Sequence, residues 1–154
     1  MMIGSTWQGL VLNIFIHVNR IQTMDKKVLP VKDRSFLEGK NYQFREVCDG
    51  ASNGLIIDNF VLLPENKFSV KQSSLLILLP QGYPDVPPDM FYFAPELKLA
   101  TSNAYPDRAN SKVTYFQTNW QCWSRHAPPT EWRPGIDGIH AYLQRVYLAL
   151  KIAA

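Results

Sequence analysis

A chain of 154 residues fits one domain and leaves little room for a second. Its 46% hydrophobic content supports a globular core, while a net charge of +3, with acids and bases intermixed and no long basic run, excludes a nucleic-acid footprint. Cys48 and Cys122 make no Cys-x-x-Cys pair, which excludes a zinc finger and a disulfide framework and fits a reducing, cytoplasmic setting.

Taken in chain order, the first apolar stretch is residues 10–16. It is far shorter than the roughly 20 residues of a membrane-spanning helix. No basic segment precedes it, as a signal peptide would require. Composition changes near Met24, so residues 1–23 are expected to be an appendage and residues 24–154 the domain. The alternative is an extra strand or helix on the domain's edge.

Residues 30–40 predict a short helix, with Asp33 near its cap and Gly39 at its end. Residues 42–47 alternate apolar and polar, the period of a strand. Asp49-Gly50 and Asn53-Gly54 are turn signals, and residues 54–63 read as a second strand. Residues 73–79 form a third, whose continuous run Leu75-Leu76-Ile77-Leu78-Leu79 implies burial on both faces. Met90-Phe91-Tyr92-Phe93, between Pro88 and Pro95, is a fourth. Residues 101–119 show no clear period and read as irregular. Ile136, Ile139, Leu143, Val146, Tyr147 and Leu150 recur at helical spacing, with Pro134-Gly135 opening the helix. The expected architecture is α+β: a four-stranded antiparallel meander with helices packed on one face.

Two motifs stand out. The first is Pro80-Gln81-Gly82-Tyr83-Pro84-Asp85-Val86-Pro87-Pro88, ahead of the fourth strand. Its prolines stiffen a crossing that has no ladder to hold it, and alone it is an ordinary Pro-rich connector. The second is Glu131-Trp132-Arg133-Pro134-Gly135-Ile136, before the final helix, where Trp132 is expected to pack and Pro134 to sit in the first helical turn. Together, in this order and separation, they resemble the ubiquitin-conjugating (UBC/RWD-like) fold over residues 30–150. That superfamily carries a similar Tyr-Pro-x-x-Pro-Pro element between its third and fourth strands and a Trp-x-Pro element after its catalytic cysteine. Within it, the chain is similar to the prokaryotic group called family E, through Trp120-Gln121-Cys122-Trp123-Ser124-Arg125-His126 before Trp132-Arg133-Pro134-Gly135 and through Leu79-Pro80-x-Gly82-Tyr83-Pro84-Asp85-x-Pro87-Pro88-Asp89-Met90-Phe91-Tyr92. The resemblance implies a carrier of an activated ubiquitin-like modifier in a bacterial conjugation pathway, with the modifier and an activating enzyme as partners. It implies no cofactor, no nucleic acid and no membrane.

A carrier of this kind needs a nucleophile that accepts an acyl group and releases it. Cys122 lies ten residues before Trp132 and Ser124 eight, and relatives place the catalytic Cys at either distance. A thiolate on Cys122 would form a thioester, with His126 as base or polar support. The Ser124 hydroxyl is a weaker nucleophile and would form an oxyester with His126 as its base. Similar bacterial sequences tolerate a residue other than Cys at the position of Cys122, which tilts the choice toward Ser124 and leaves Cys122 open.

The chain departs from the superfamily in lacking its His-Pro-Asn element. Asn119 is the candidate amide for an oxyanion, with backbone N–H groups or Arg125 as alternatives. The departure also admits an inactive domain that only binds a partner. Arg125 and Arg133 flank the window and suit a carboxylate on the modifier or activating enzyme, although plain solvated charge is the simpler role. His17, His140 and Cys48 are assigned no chemistry, and three scattered His with two Cys do not make a metal site.

Overall fold

The computed structural model describes residues 26–154, so the expected appendage over residues 1–23 and His17 lie outside the described residues. Helix α1 (Val31–Gly39) leads into strands β1 (Gln43–Cys48), β2 (Asn53–Val61), β3 (Gln72–Leu79) and β4 (Phe91–Ala94). Strands β5 (Ser111–Tyr115) and β6 (Thr118–Trp123), a 3-10 turn (Pro129–Glu131) and helix α2 (Ile139–Ile152) follow. The sheet is antiparallel throughout, in the order β1-β2-β3-β4-β6-β5. It therefore has six strands, not the four expected.

The two extra strands form a hairpin within the stretch read as irregular and just beyond it. Val113 and Tyr115 turn inward while Lys112 and Thr114 are exposed, so the strand alternation is present. The turn hides it. Phe116 and Gln117 both adopt left-handed backbone, at φ 49° and 61°, in a place where Asn-Gly is the usual signal. The Phe116 ring compensates by packing over Gly54, where an added Cβ would meet its Cε2 at 2.9 Å.

Apolar side chains fill both faces of the sheet. Leu55, Ile57, Leu75, Ile77, Phe93 and Trp123 meet α1 and α2 in the main core. Ile56, Leu76, Tyr92 and Trp120 form a second cluster on the other face, joined by Tyr115, Phe116 and Cys122. Alternation along β3 sends Leu75 and Ile77 to one layer and Leu76 to the other, as its unbroken apolar run predicts. Both helices lie on one face.

The start of α2 differs from expectation. Pro134-Gly135 does not open it: Gly135 has φ +78°, the Ile136 N–H donates to the Arg133 carbonyl at 3.1 Å, and the helix begins at Ile139 after Gly138. Ile136 is exposed in that turn rather than buried on the helix. The N-terminal amide of Ile139 donates to Asp33 Oδ1 at 3.1 Å, a cap supplied by α1. Asp33 is thus buried and caps α2 rather than its own helix, whose N-cap is Pro30.

The two sequence motifs meet at this junction. The Tyr83 hydroxyl donates to Asp33 Oδ2 at 2.5 Å, and the Trp132 indole N–H donates to the Pro84 carbonyl at 2.8 Å. Burial, and then the Asp33 carboxylate, hold the Tyr83 hydroxyl firmly protonated, as a donor must be. Pro87 and Pro88 carry the chain from this junction into β4, with Pro88 buried. Among the described residues no helix is long and apolar enough to cross a membrane.

Candidate active site

Strand β6 decides which way each candidate faces. Successive side chains alternate, so Trp123 enters the helix-side core while Cys122 turns to the opposite face. There the Cys122 thiol is half-buried, with Sγ 3.8 Å from Met90 Sδ. Asn119 is exposed at the far end of β6, paired with Thr114 beside the hairpin turn. The strand thus separates Asn119 and Cys122 from the segment that follows it.

Ser124 is the first residue past β6. Its N–H donates to the Arg108 carbonyl at 3.1 Å, which ties it to the loop before β5. The buried Gln121 anchors that loop. Its amide donates to the carbonyls of Leu97 and Ala109, at 2.9 and 2.7 Å, and its oxygen accepts from the Leu97 N–H at 2.8 Å and the Trp123 indole at 3.1 Å.

Pairing of Phe91 with Trp123 brings the chain just before β4 alongside the chain just after β6. Three side chains meet there. Ser124 Oγ lies 3.0 Å from His126 Nε2, and His126 Nδ1 lies 2.6 Å from Asp89 Oδ1. With Nδ1–H donating to Asp89, Nε2 presents its lone pair to the Ser124 hydroxyl. A hydroxyl, an imidazole and a carboxylate in series form the constellation used for nucleophilic acyl transfer on many folds. The His126 and Asp89 side chains are 55% and 65% exposed, so water reaches the whole array.

The array opens on a cleft of about 280 Å³ between the end of β6 and α2. Ser124, His126 and Asp89 share its lining with Arg108, Arg125 and Arg145. Cys122 and Asn119 are not among the lining residues. Arg125 braces the segment that follows β6: its guanidinium donates to the carbonyls of Ser124 and Asp107, at 3.1 and 2.6 Å, and lies 5.3 Å from the Trp123 ring centre. Burial, and then the nearby Arg108, lower its pKa from the ordinary arginine value. Arg133 points elsewhere, pairing with Asp137 at 2.7 Å in the turn before α2. His140 packs edge-on against Phe36, with ring centres 5.9 Å apart.

Asp89 stands inside the Pro-rich motif, and nothing in its local sequence marks it as a partner of His126. Only the pairing of β6 with β4 brings it to His126, and no clear period along residues 101–119 announces that pairing. Among the described residues no three His, Cys, Asp or Glu side chains gather as a metal site.

The family described as Prokaryotic E2 family E matches residues 29–153 of the chain. The protein belongs to this family. The match spans every helix and strand described above. Membership of prokaryotic E2 family E points to a conjugating-enzyme-like role and, in general terms, to a modifier and an activating enzyme as the kind of partner. No curated protein and no solved structure matches the chain.

Proposed function

We propose that this prokaryotic E2 family E protein accepts the activated C-terminal acyl group of a ubiquitin-like modifier on Ser124, as an oxyester, and passes it on. It would receive the modifier from an activating enzyme, in a bacterial conjugation pathway and in the reducing cytoplasm that its two free cysteines suit. The observation that carries this is the 3.0 Å approach of Ser124 Oγ to His126 Nε2 at the mouth of a cleft. Proton removal by a placed base contributes about 10² to 10⁴ in rate, which a hydroxyl nucleophile needs and a thiolate does not. Cys122 is the weaker candidate, since its thiol is packed beside Met90 on the other face of the sheet. The lack of a His-Pro-Asn element favours a second reading, an inactive scaffold for the activating enzyme or the modifier.

The test is to mix the protein with the activating enzyme, the modifier and ATP and to measure the intact mass of any adduct. A reductant-stable adduct lost in Ser124→Ala and kept in Cys122→Ala is expected. Ser124→Cys should convert it to a thiol-sensitive one. An adduct lost in Cys122→Ala would move the chemistry to the thiol, and none under any condition would leave the scaffold.

A further inference from the structure

Resting on the assignment of Ser124 as nucleophile, we propose that Asp89 completes a Ser124–His126–Asp89 relay which activates the hydroxyl in the free protein. The site then takes acyl groups directly from small activated esters, with no partner present. The geometry is already assembled without one. Asp89 Oδ1 lies 2.6 Å from His126 Nδ1, His126 Nε2 lies 3.0 Å from Ser124 Oγ, and the pairing of β4 with β6 brings the two flanking segments side by side. Asp89 acts through the imidazole, fixing its tautomer and orientation, and is therefore a positioning residue.

The step balances without a further reactant. Ser124 Oγ attacks the carbonyl carbon of the ester and His126 Nε2 takes the hydroxyl proton. Arg108, Arg125 and Arg145 are among the residues lining the cleft, and their positive charge favours the developing oxyanion. The bond to the leaving alcohol breaks, and His126 returns the proton to that alcohol. Acyl-serine and free alcohol are the products. A cleft of about 280 Å³ lies at the small end of ligand sites, so short acyl groups are the fitting class. Because His126 is 55% exposed, water reaches the acyl-serine and the same base activates it for hydrolysis. The expected activity is a burst of acylation followed by slow turnover.

The experiment uses the full chain and p-nitrophenyl acetate, reading p-nitrophenol release and, by peptide mass mapping, acetyl on Ser124. The wild-type protein should give a burst with acetyl on Ser124. His126→Ala should slow it by about 10²-fold. Asp89→Asn should slow it at least tenfold and displace its pH profile, with Asp89→Glu restoring most of the rate. Melting temperatures should be unchanged in the Asp89 variants, because that side chain is 65% exposed. Acetyl on Ser124 at the wild-type rate and pH profile in Asp89→Asn overturns the relay while leaving Ser124 as the carrier. No acetyl on Ser124 in the wild-type protein overturns the partner-free activity. The carrier role itself stands or falls on the separate adduct with the modifier.

Discussion

At the scale of single residues, Tyr142 carries an internal conflict. Its side chain is buried in α2, and among the described residues its hydroxyl is the buried side-chain polar atom without a hydrogen-bond partner. Burial pushes its pKa up, so it stays a protonated donor with no protein acceptor in reach. A buried group left unsatisfied costs roughly 1–3 kcal/mol. Tyr142→Phe keeps the ring and removes the conflict, so it should stabilise the protein by about 1 kcal/mol in denaturant unfolding. Trp132 is the opposite case. Its indole donates to the Pro84 carbonyl, so Trp132→Phe should lose about 1 kcal/mol for the hydrogen bond, with more for the lost packing, measured the same way.

At the scale of elements, the junction of α1, the Pro-rich crossing and α2 depends on one absent side chain. A Cβ at Gly138 would sit 2.3 Å from Asp33 Oδ1. Gly138→Ala must displace the carboxylate that caps α2 and receives Tyr83, so a loss of about 2 kcal/mol or more is expected in thermal or denaturant unfolding. Very little of this junction was legible in the sequence. Periodicity located α2, because Ile139, Leu143, Val146 and Leu150 line one face. It misplaced the start, because the cap comes from a residue 106 positions away and local signals cannot register it. The same holds for the hairpin of β5 and β6. Phe116-Gln117 has none of the usual turn residues, and the reason it turns, a ring seated over Gly54, is long-range. Within the site, the Ser124–His126 spacing could be read along the chain, whereas Asp89 needed the sheet order.

Across the whole molecule, several carboxylates are held by hydrogen bonds from Arg or Lys side chains. Burial alone would raise the Glu46 carboxyl, but hydrogen bonds from Arg34 and from the Leu29 and Val28 amides outweigh it and hold its pKa below the usual range. The hydrogen bond from Arg45 does the same for Asp58, as do Lys112 for Glu96 and Arg133 for Asp137. Each of these groups ionises more readily folded than unfolded. Their contribution is therefore fully present above the ordinary carboxylate pKa of about 4 and is lost as pH falls through the lower folded values. Stability followed by denaturant titration should be flat near neutrality and fall steadily below about pH 4.5. Glu46→Gln should weaken that dependence and release the segment before α1, detectable as faster amide exchange at Val28 and Leu29.

The direction in which β6 points its side chains also bears on oxidative chemistry. A thiolate carrier can be driven to sulfenic acid or capped by glutathione, and its pathway then stops until a reductase restores it. An alcohol has no such ladder. On the proposed assignment, with Ser124 at the cleft and Cys122 turned to the far face against Met90, peroxide would strike sulfur the acyl chemistry does not use. Treatment with hydrogen peroxide should therefore leave acylation of Ser124 intact. A carrier step on Ser124, as proposed, would not itself depend on an oxidisable thiol.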